Sequence, residues 1–156
     1  MPSILFVCSA NQCRSPMAEA LFKSILDEAG VLSNWRVASA GTWANDGIHA
    51  TDLARQVMRE RGLDIEGHRS QPTSGELLVE FDLVLVMEER HREYLQRCYP
   101  LVVDRVHLFS EIAGHETDID DPVTGTAETY RATVELMTAI FKEGYDCILE
   151  WVVKRS

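Results

Sequence analysis

The chain has 156 residues, enough for one domain with a hydrophobic core and too few to expect two. Hydrophobic residues make up 46%, which removes the compositional case for disorder, and no apolar run approaches the ~20 residues needed to span a bilayer. The formal net charge of −10 argues against nucleic acid or an anionic membrane surface as a partner.

The first predicted element is a strand, the buried apolar run Ile4-Leu5-Phe6-Val7. It is too short for the apolar core of a signal peptide and lacks a basic segment before it. After Ser15-Pro16, the series Ala18, Leu21, Phe22, Ile25 and Leu26 repeats at helical spacing, and Gly30 is a plausible stop. Trp35 to Ala40 reads as a second strand. Leu53, Ala54, Val57 and Met58 form one face of a second helix that Gly62 ends. Phe81 to Met87 is nearly continuously apolar, as expected for a parallel strand covered on both faces. A helix from Glu88 to Gln96 follows. Val103 to Phe109, interrupted by Asp104, Arg105 and His107, is predicted as an edge strand. Thr126 to Lys142 is a final amphipathic helix that Tyr145 to Val153 either extends or follows as a separate turn. Strands alternating with helices predict an α/β fold with a doubly wound parallel sheet, in which ligands bind beyond the carboxyl ends of the strands.

The segment between the first strand and first helix, Cys8-Ser9-Ala10-Asn11-Gln12-Cys13-Arg14-Ser15, carries the chemistry. Backbone N–H groups gather where a helix begins, and its dipole favours an anion. Cys8 opens the loop and Arg14 closes it with five residues between, a length that curls around one tetrahedral oxyanion. Cys8 is the candidate nucleophile, since a helix N-terminus with a nearby arginine lowers cysteine pKa values to roughly 3.5–7.5. Arg14 supplies a planar fork for phosphoryl oxygens, and a cation at a helix start needs an anion to justify it. Ser9, Ala10, Asn11, Gln12 and Cys13 supply loop contacts. Asn11 tolerates the left-handed conformation that a tight loop needs, and Ser15 occupies an N-cap position from which its hydroxyl reaches Cys8. Cys13 is either packing or a resolving thiol that protects Cys8 from overoxidation. Trp43 is either core or an apolar wall of the cleft. Asp118, Asp120 and Asp121 are either a solvated turn or the source of a general acid.

The segment from Val7 to Ala20 resembles the signature of low-molecular-weight protein tyrosine phosphatases. Further matches run through Ser39-Ala40-Gly41-Thr42, His68-Arg69-Ser70, Asp82 to Met87 and Asp121-Pro122. The resemblance implies a four-stranded parallel sheet in the order 2-1-3-4 flanked by helices, and a phosphocysteine mechanism without metal or cofactor. It selects Asp121, directly before proline, as general acid and base, with Asp120 as the fallback. It also adds Ser39 and His68 to a hydrogen-bond network with Asn11 and Ser15. The implied partners are phosphotyrosine-containing proteins and a cognate tyrosine kinase.

Some positions differ from that family's habit. Ala10 stands where glycine is common and would be strained at positive φ; Ser9 replaces a larger apolar residue, and Gln12 replaces an apolar residue or threonine. Val123-Thr124-Gly125 follows Asp121-Pro122 where many members carry two aromatics. Phosphoarginine hydrolysis, arsenate reduction and a catalytically weak phosphoprotein-binding module are therefore the alternatives; the second would need a resolving-thiol pair, which residues 70–90 do not contain. The cysteines at 8, 13, 98 and 147 match neither a zinc pattern nor a secreted disulfide framework, so a reducing, cytoplasmic setting is expected. Cys98 and Cys147 are expected to be buried and inert. The sequence leaves the oligomeric state open.

Overall fold

Along β1 (Ser3–Cys8), Ile4, Phe6 and Cys8 face one side of a sheet and Leu5 and Val7 the other, and all are buried. That double burial places β1 in the interior of the sheet. The computed structural model describes residues 1–155 and pairs β1 on both edges. On one side lies β2 (Arg36–Gly41), and on the other β3 (Leu83–Val86), beyond which β4 (Val106–Leu108) forms the edge. All pairings are parallel and the order is β2-β1-β3-β4, as the family resemblance implied.

The helices are α1 (Arg14–Glu28), α2 (Asp52–Glu60), α3 (Gly75–Leu78), α4 (Glu89–Cys98) and α5 (Ala127–Val153). Phe6 meets Phe22 of α1, Phe141 of α5 and Phe109 edge-on, with ring centroids 5.7–6.1 Å apart. On the opposite face Leu5, Val7, Val84 and Val86 pack with Leu78 of α3 and Leu95 of α4. Both faces are thereby closed, and because β2 lies on one side of β1 and β3 on the other, the carboxyl end of β1 is the point where the strand order reverses. No helix among the described residues is long and apolar enough to cross a membrane.

The structure alters one expectation, decides one alternative and adds one helix. The predicted edge strand over 103–109 shortens to Val106–Leu108, because Pro100–Arg105 coils into a 3₁₀ helix that begins at a proline with no N–H to give a ladder. The last helix is continuous from Ala127 to Val153. Gly144 sits inside it because a Cβ there would collide with Ile112. Finally, α3 was not predicted; Ser74 caps it by accepting from the Leu77 N–H at 3.1 Å.

Candidate active site

The N-terminus of α1 is chemically unlike those of its neighbours. The Thr51 hydroxyl caps α2 and Ser74 caps α3, and both helices carry an acidic residue in the first turn. Cys13 occupies the N-cap of α1 without a capping side chain, and the first turn has no acid. Ser15 is therefore the second residue of the helix and is not the cap expected from sequence. Orphan N–H groups and the dipole of a 15-residue helix are left for an external anion.

The loop's carbonyls are held outward by donors from several other segments. Thr42 N–H bonds to Cys8 O at 2.9 Å, Trp43 N–H to Ser9 O at 2.8 Å, and Thr51 N–H to Gln12 O at 2.8 Å. His68 Nε2 donates to Asn11 O at 2.7 Å, which fixes the proton on that nitrogen. In a planar trans peptide the next N–H points opposite the carbonyl, so Ser9, Ala10, Gln12 and Cys13 turn their N–H groups toward the loop interior. The close approach of β2 depends on Gly41, where a Cβ would sit 2.9 Å from Asn11 N and inside contact with Ser9 O. Asn11 alone among non-glycine residues described has positive φ, 58°. Ala10 is not in that region, so alanine there carries no left-handed strain.

Asn11 is buried and fully engaged. Its amide donates to Ser15 Oγ at 2.8 Å and to Ser39 Oγ at 2.9 Å, while its Oδ1 accepts from Gln71 N at 3.0 Å. The Ser39 hydroxyl donates to Glu19 Oε1 at 2.6 Å. Ser15 Oγ lies 3.0 Å from Cys8 Sγ; it accepts from Asn11, and its one proton is shared between that sulfur and the Ala40 carbonyl at 3.3 Å. Cys8, Asn11, Ser15, Ser39 and His68 thus form one connected unit around the loop.

Arg14 is 1% exposed and makes its hydrogen bonds through one nitrogen only. Its Nη1 donates to Glu88 Oε2 at 2.5 Å and to the Ile119 carbonyl at 2.7 Å. Nε and Nη2 are buried without a hydrogen-bond partner, which leaves one edge of the fork for two oxygens of a ligand. Burial opposes the Glu88 charge, yet hydrogen bonds from Arg90 and Arg14 hold its carboxyl down to about 2. Glu88 is therefore a carboxylate throughout the neutral range.

The segment after residue 117 is tied to the same end of the sheet. Ile119 N bonds to Met87 O at 2.8 Å, and Asp118 Oδ1 accepts from Glu89 N at 2.8 Å. Asp121 Oδ2 lies 3.5 Å from Arg14 Nη2, and its Oδ1 accepts from Cys13 Sγ at 3.4 Å and from Val123 N at 3.1 Å. Asp120 is exposed and makes no such contact. Trp43 is 89% exposed, which removes the core alternative and leaves its ring in solvent beside the loop. Cys98 is exposed and Cys147 half-buried, contrary to the expectation that both are buried. Glu88, Ile119, Glu19 and Gln71 belong to the site without a role assigned from sequence. Only Glu88 had a signal, its position just beyond the carboxyl end of a predicted strand.

Burial, together with the charges of Cys8 and Asp121, pushes the Cys13 thiol far up, so it stays protonated at physiological pH. Mild peroxide should therefore attack Cys8 first, and Cys13, buried in the same loop, should capture the sulfenic acid as a disulfide. Peptide mapping after peroxide is expected to link Cys8 to Cys13. Cys13→Ser is expected to keep turnover and lose recovery by thiol reductant; equal recovery in both proteins would reduce Cys13 to packing.

A thiol and an arginine fork on a strand–loop–helix turn at the carboxyl end of a parallel sheet define a cysteine-centred oxyanion site. The family model for low molecular weight phosphotyrosine protein phosphatases matches residues 3–144, and the chain belongs to that family. It is 36% identical over 141 residues to the protein-arginine-phosphatase of Bacillus subtilis, covering 90% of this chain and 92% of that one. It is 38% identical over 138 residues to the low molecular weight protein-tyrosine-phosphatase Wzb of Escherichia coli K12, covering 86% and 87%. Its fold superposes on the structure of a YwlE mutant from Bacillus subtilis with a TM-score of 0.89 at 33% identity, covering 96% of this chain and 99% of that one.

Proposed function

We propose that the chain hydrolyses phosphotyrosine in protein substrates through a phosphocysteine on Cys8. The observation that carries this reading is the half-satisfied Arg14, buried with Nε and Nη2 making no hydrogen bond beside a loop whose N–H groups face inward. A phosphoryl group in the loop takes two oxygens to that edge of the fork and the rest to the amides. The Cys8 sulfur then lies beneath phosphorus, opposite the leaving oxygen. As the phosphorus–oxygen bond breaks, Asp121 protonates the departing phenolate; in the second step it takes a proton from the water that attacks the phosphocysteine. Ser15 steadies the sulfur when it leaves again. No metal or cofactor enters either step. The four free thiols support a reducing cytoplasm as the setting, with a tyrosine kinase supplying the substrate proteins.

Phosphoarginine is the second reading. It is favoured by the likeness to the Bacillus subtilis enzyme and by Val123-Thr124, which gives the cleft no aromatic pair. Arsenate reduction is disfavoured, because Cys13 is the one further thiol brought to the site among the described residues. A module without turnover is disfavoured by the full set of sulfur, fork and carboxylate.

The test is a steady-state comparison of phosphotyrosine, phosphoarginine and phosphoserine peptides, with arsenate as control. Cys8 is 2% exposed, so a long, flat phosphoester should reach it and phosphoserine should not, and a wide preference for phosphotyrosine over phosphoserine is expected. Trp43→Ala should raise KM for aryl phosphates by about 2- to 10-fold, the worth of one aromatic contact, and leave phosphate inhibition unchanged. Phosphoserine cleaved as fast as phosphotyrosine would overturn the depth argument, and dominance of phosphoarginine would replace the substrate.

A further inference from the structure

Ser9 follows the nucleophile directly, and its side chain is held in an unusual state. Its Oγ lies 2.9 Å from His91 Nε2 and 2.9 Å from Arg90 Nη2. Arginine donates only, so that contact uses one lone pair of the hydroxyl. The second contact is decided by the other face of the imidazole: His91 Nδ1 accepts from the Glu88 N–H at 3.1 Å and so carries no proton. Burial, aided by Arg14, lowers the His91 pKa to about 4, and the ring is neutral near pH 7. A neutral ring with a bare Nδ1 has its proton on Nε2, so His91 also donates to Ser9. Both lone pairs of Ser9 Oγ are then occupied by donors from the start of α4. The hydroxyl proton has one tetrahedral direction left, away from α4.

We propose that Ser9 Oγ–H is a dedicated donor to a phosphoryl oxygen of the bound substrate, and that His91 is the positioning residue that holds it in this state. Ordinary serine hydroxyls rotate and exchange donor and acceptor roles; this one is restricted to donating. The groups form a chain, Ser9 to Arg90 to Glu88 to Arg14, which joins the hydroxyl to the fork that binds the same anion. Arg90 is mostly exposed and shares Glu88 with Arg14, so its part is to occupy an acceptor site on Ser9 and to hold Glu88. The inference rests on the loop being an oxyanion site, and adds a side-chain donor to the backbone ones.

Inorganic phosphate binding, measured by titration calorimetry, tests it without requiring turnover. Ser9→Ala is expected to weaken binding about tenfold, as for loss of a hydrogen bond to a charged group. His91→Leu should cause a similar loss, and the Ser9→Ala, His91→Leu double variant should lose no more than either alone, since His91 acts through Ser9. His91→Gln, which retains an acceptor and a donor, should recover most of the affinity. Binding within twofold of wild type for Ser9→Ala, or additive losses in the double variant, would overturn the proposal. p-Nitrophenyl phosphate turnover by the same preparations separates the two readings. Hydrolysis with unchanged phosphate binding in Ser9→Ala defeats this inference alone; affinity losses without wild-type hydrolysis defeat the phosphatase reading alone.

Discussion

Cys8→Ser is expected to reduce turnover to background while phosphate and vanadate binding survive. A serine hydroxyl stays protonated near neutral pH and is a poor nucleophile toward phosphorus without a base. The loop has none to offer: the nearest side-chain oxygen is Ser15 Oγ, which already accepts from Asn11. Binding should persist because its parts lie elsewhere, in the free edge of Arg14 and in N–H groups whose direction is fixed by Thr42, Trp43, Thr51 and His68. Activity above a few per cent of wild type would remove Cys8 from the nucleophilic role. Loss of phosphate affinity together with activity would mean that the sulfur organises the loop.

Asp121→Asn should lower kcat by about 10²–10⁴-fold, the usual worth of a positioned general acid. Asparagine keeps an oxygen for the Val123 N–H, so the turn that begins at Pro122 should survive and the loss should be chemical. It should shrink for leaving groups of low pKa, which need little protonation. Phosphate inhibition should become no weaker, because Arg14 and the loop N–H groups, which the substitution leaves in place, hold the anion. Asp120→Asn is the matched control, exposed and away from Arg14. If it shows the leaving-group dependence and Asp121→Asn does not, the acid has been misassigned.

What was legible in the sequence is what one segment encodes. The strand, loop and helix from residue 3 to 28 are contiguous, so apolar spacing and the cysteine-to-arginine interval disclosed the turn and the two side chains that bracket it. The buried run before Met87 disclosed a covered parallel strand for the same reason. What stayed hidden depends on distant partners. Arg14 is fixed by Glu88, 74 residues away, and by the Ile119 carbonyl, 105 residues away, and no local pattern marks a backbone oxygen. The state of Ser9 is decided by a histidine 82 residues on. Asp121 could be told from Asp118 and Asp120 only through the family's proline; what sets it apart in the structure is its contact with Arg14 and Cys13. Ser15 was misplaced by two positions because helix α1 begins at Arg14 with Cys13 as its N-cap, and capping preference cannot sense a helix start that lacks a capping side chain. The exposure of Trp43 was invisible for a simpler reason: hydrophobicity states a preference for burial, and a short segment anchored by its N–H to Ser9 leaves the ring no core to enter.

The central claim is a covalent phosphocysteine, and acid quenching tests it most directly. Asp121→Asn is mixed with p-nitrophenyl phosphate, whose leaving group needs little protonation, so that sulfur attack proceeds while hydrolysis of the intermediate is slow. The quenched protein is then digested and mapped by mass spectrometry. The expected result is a phosphoryl group on the peptide containing Cys8, formed with a stoichiometric burst of p-nitrophenol and absent from Cys8→Ser. A burst with the phosphoryl group on another residue, or p-nitrophenol released with no phosphoenzyme at any time, would contradict it.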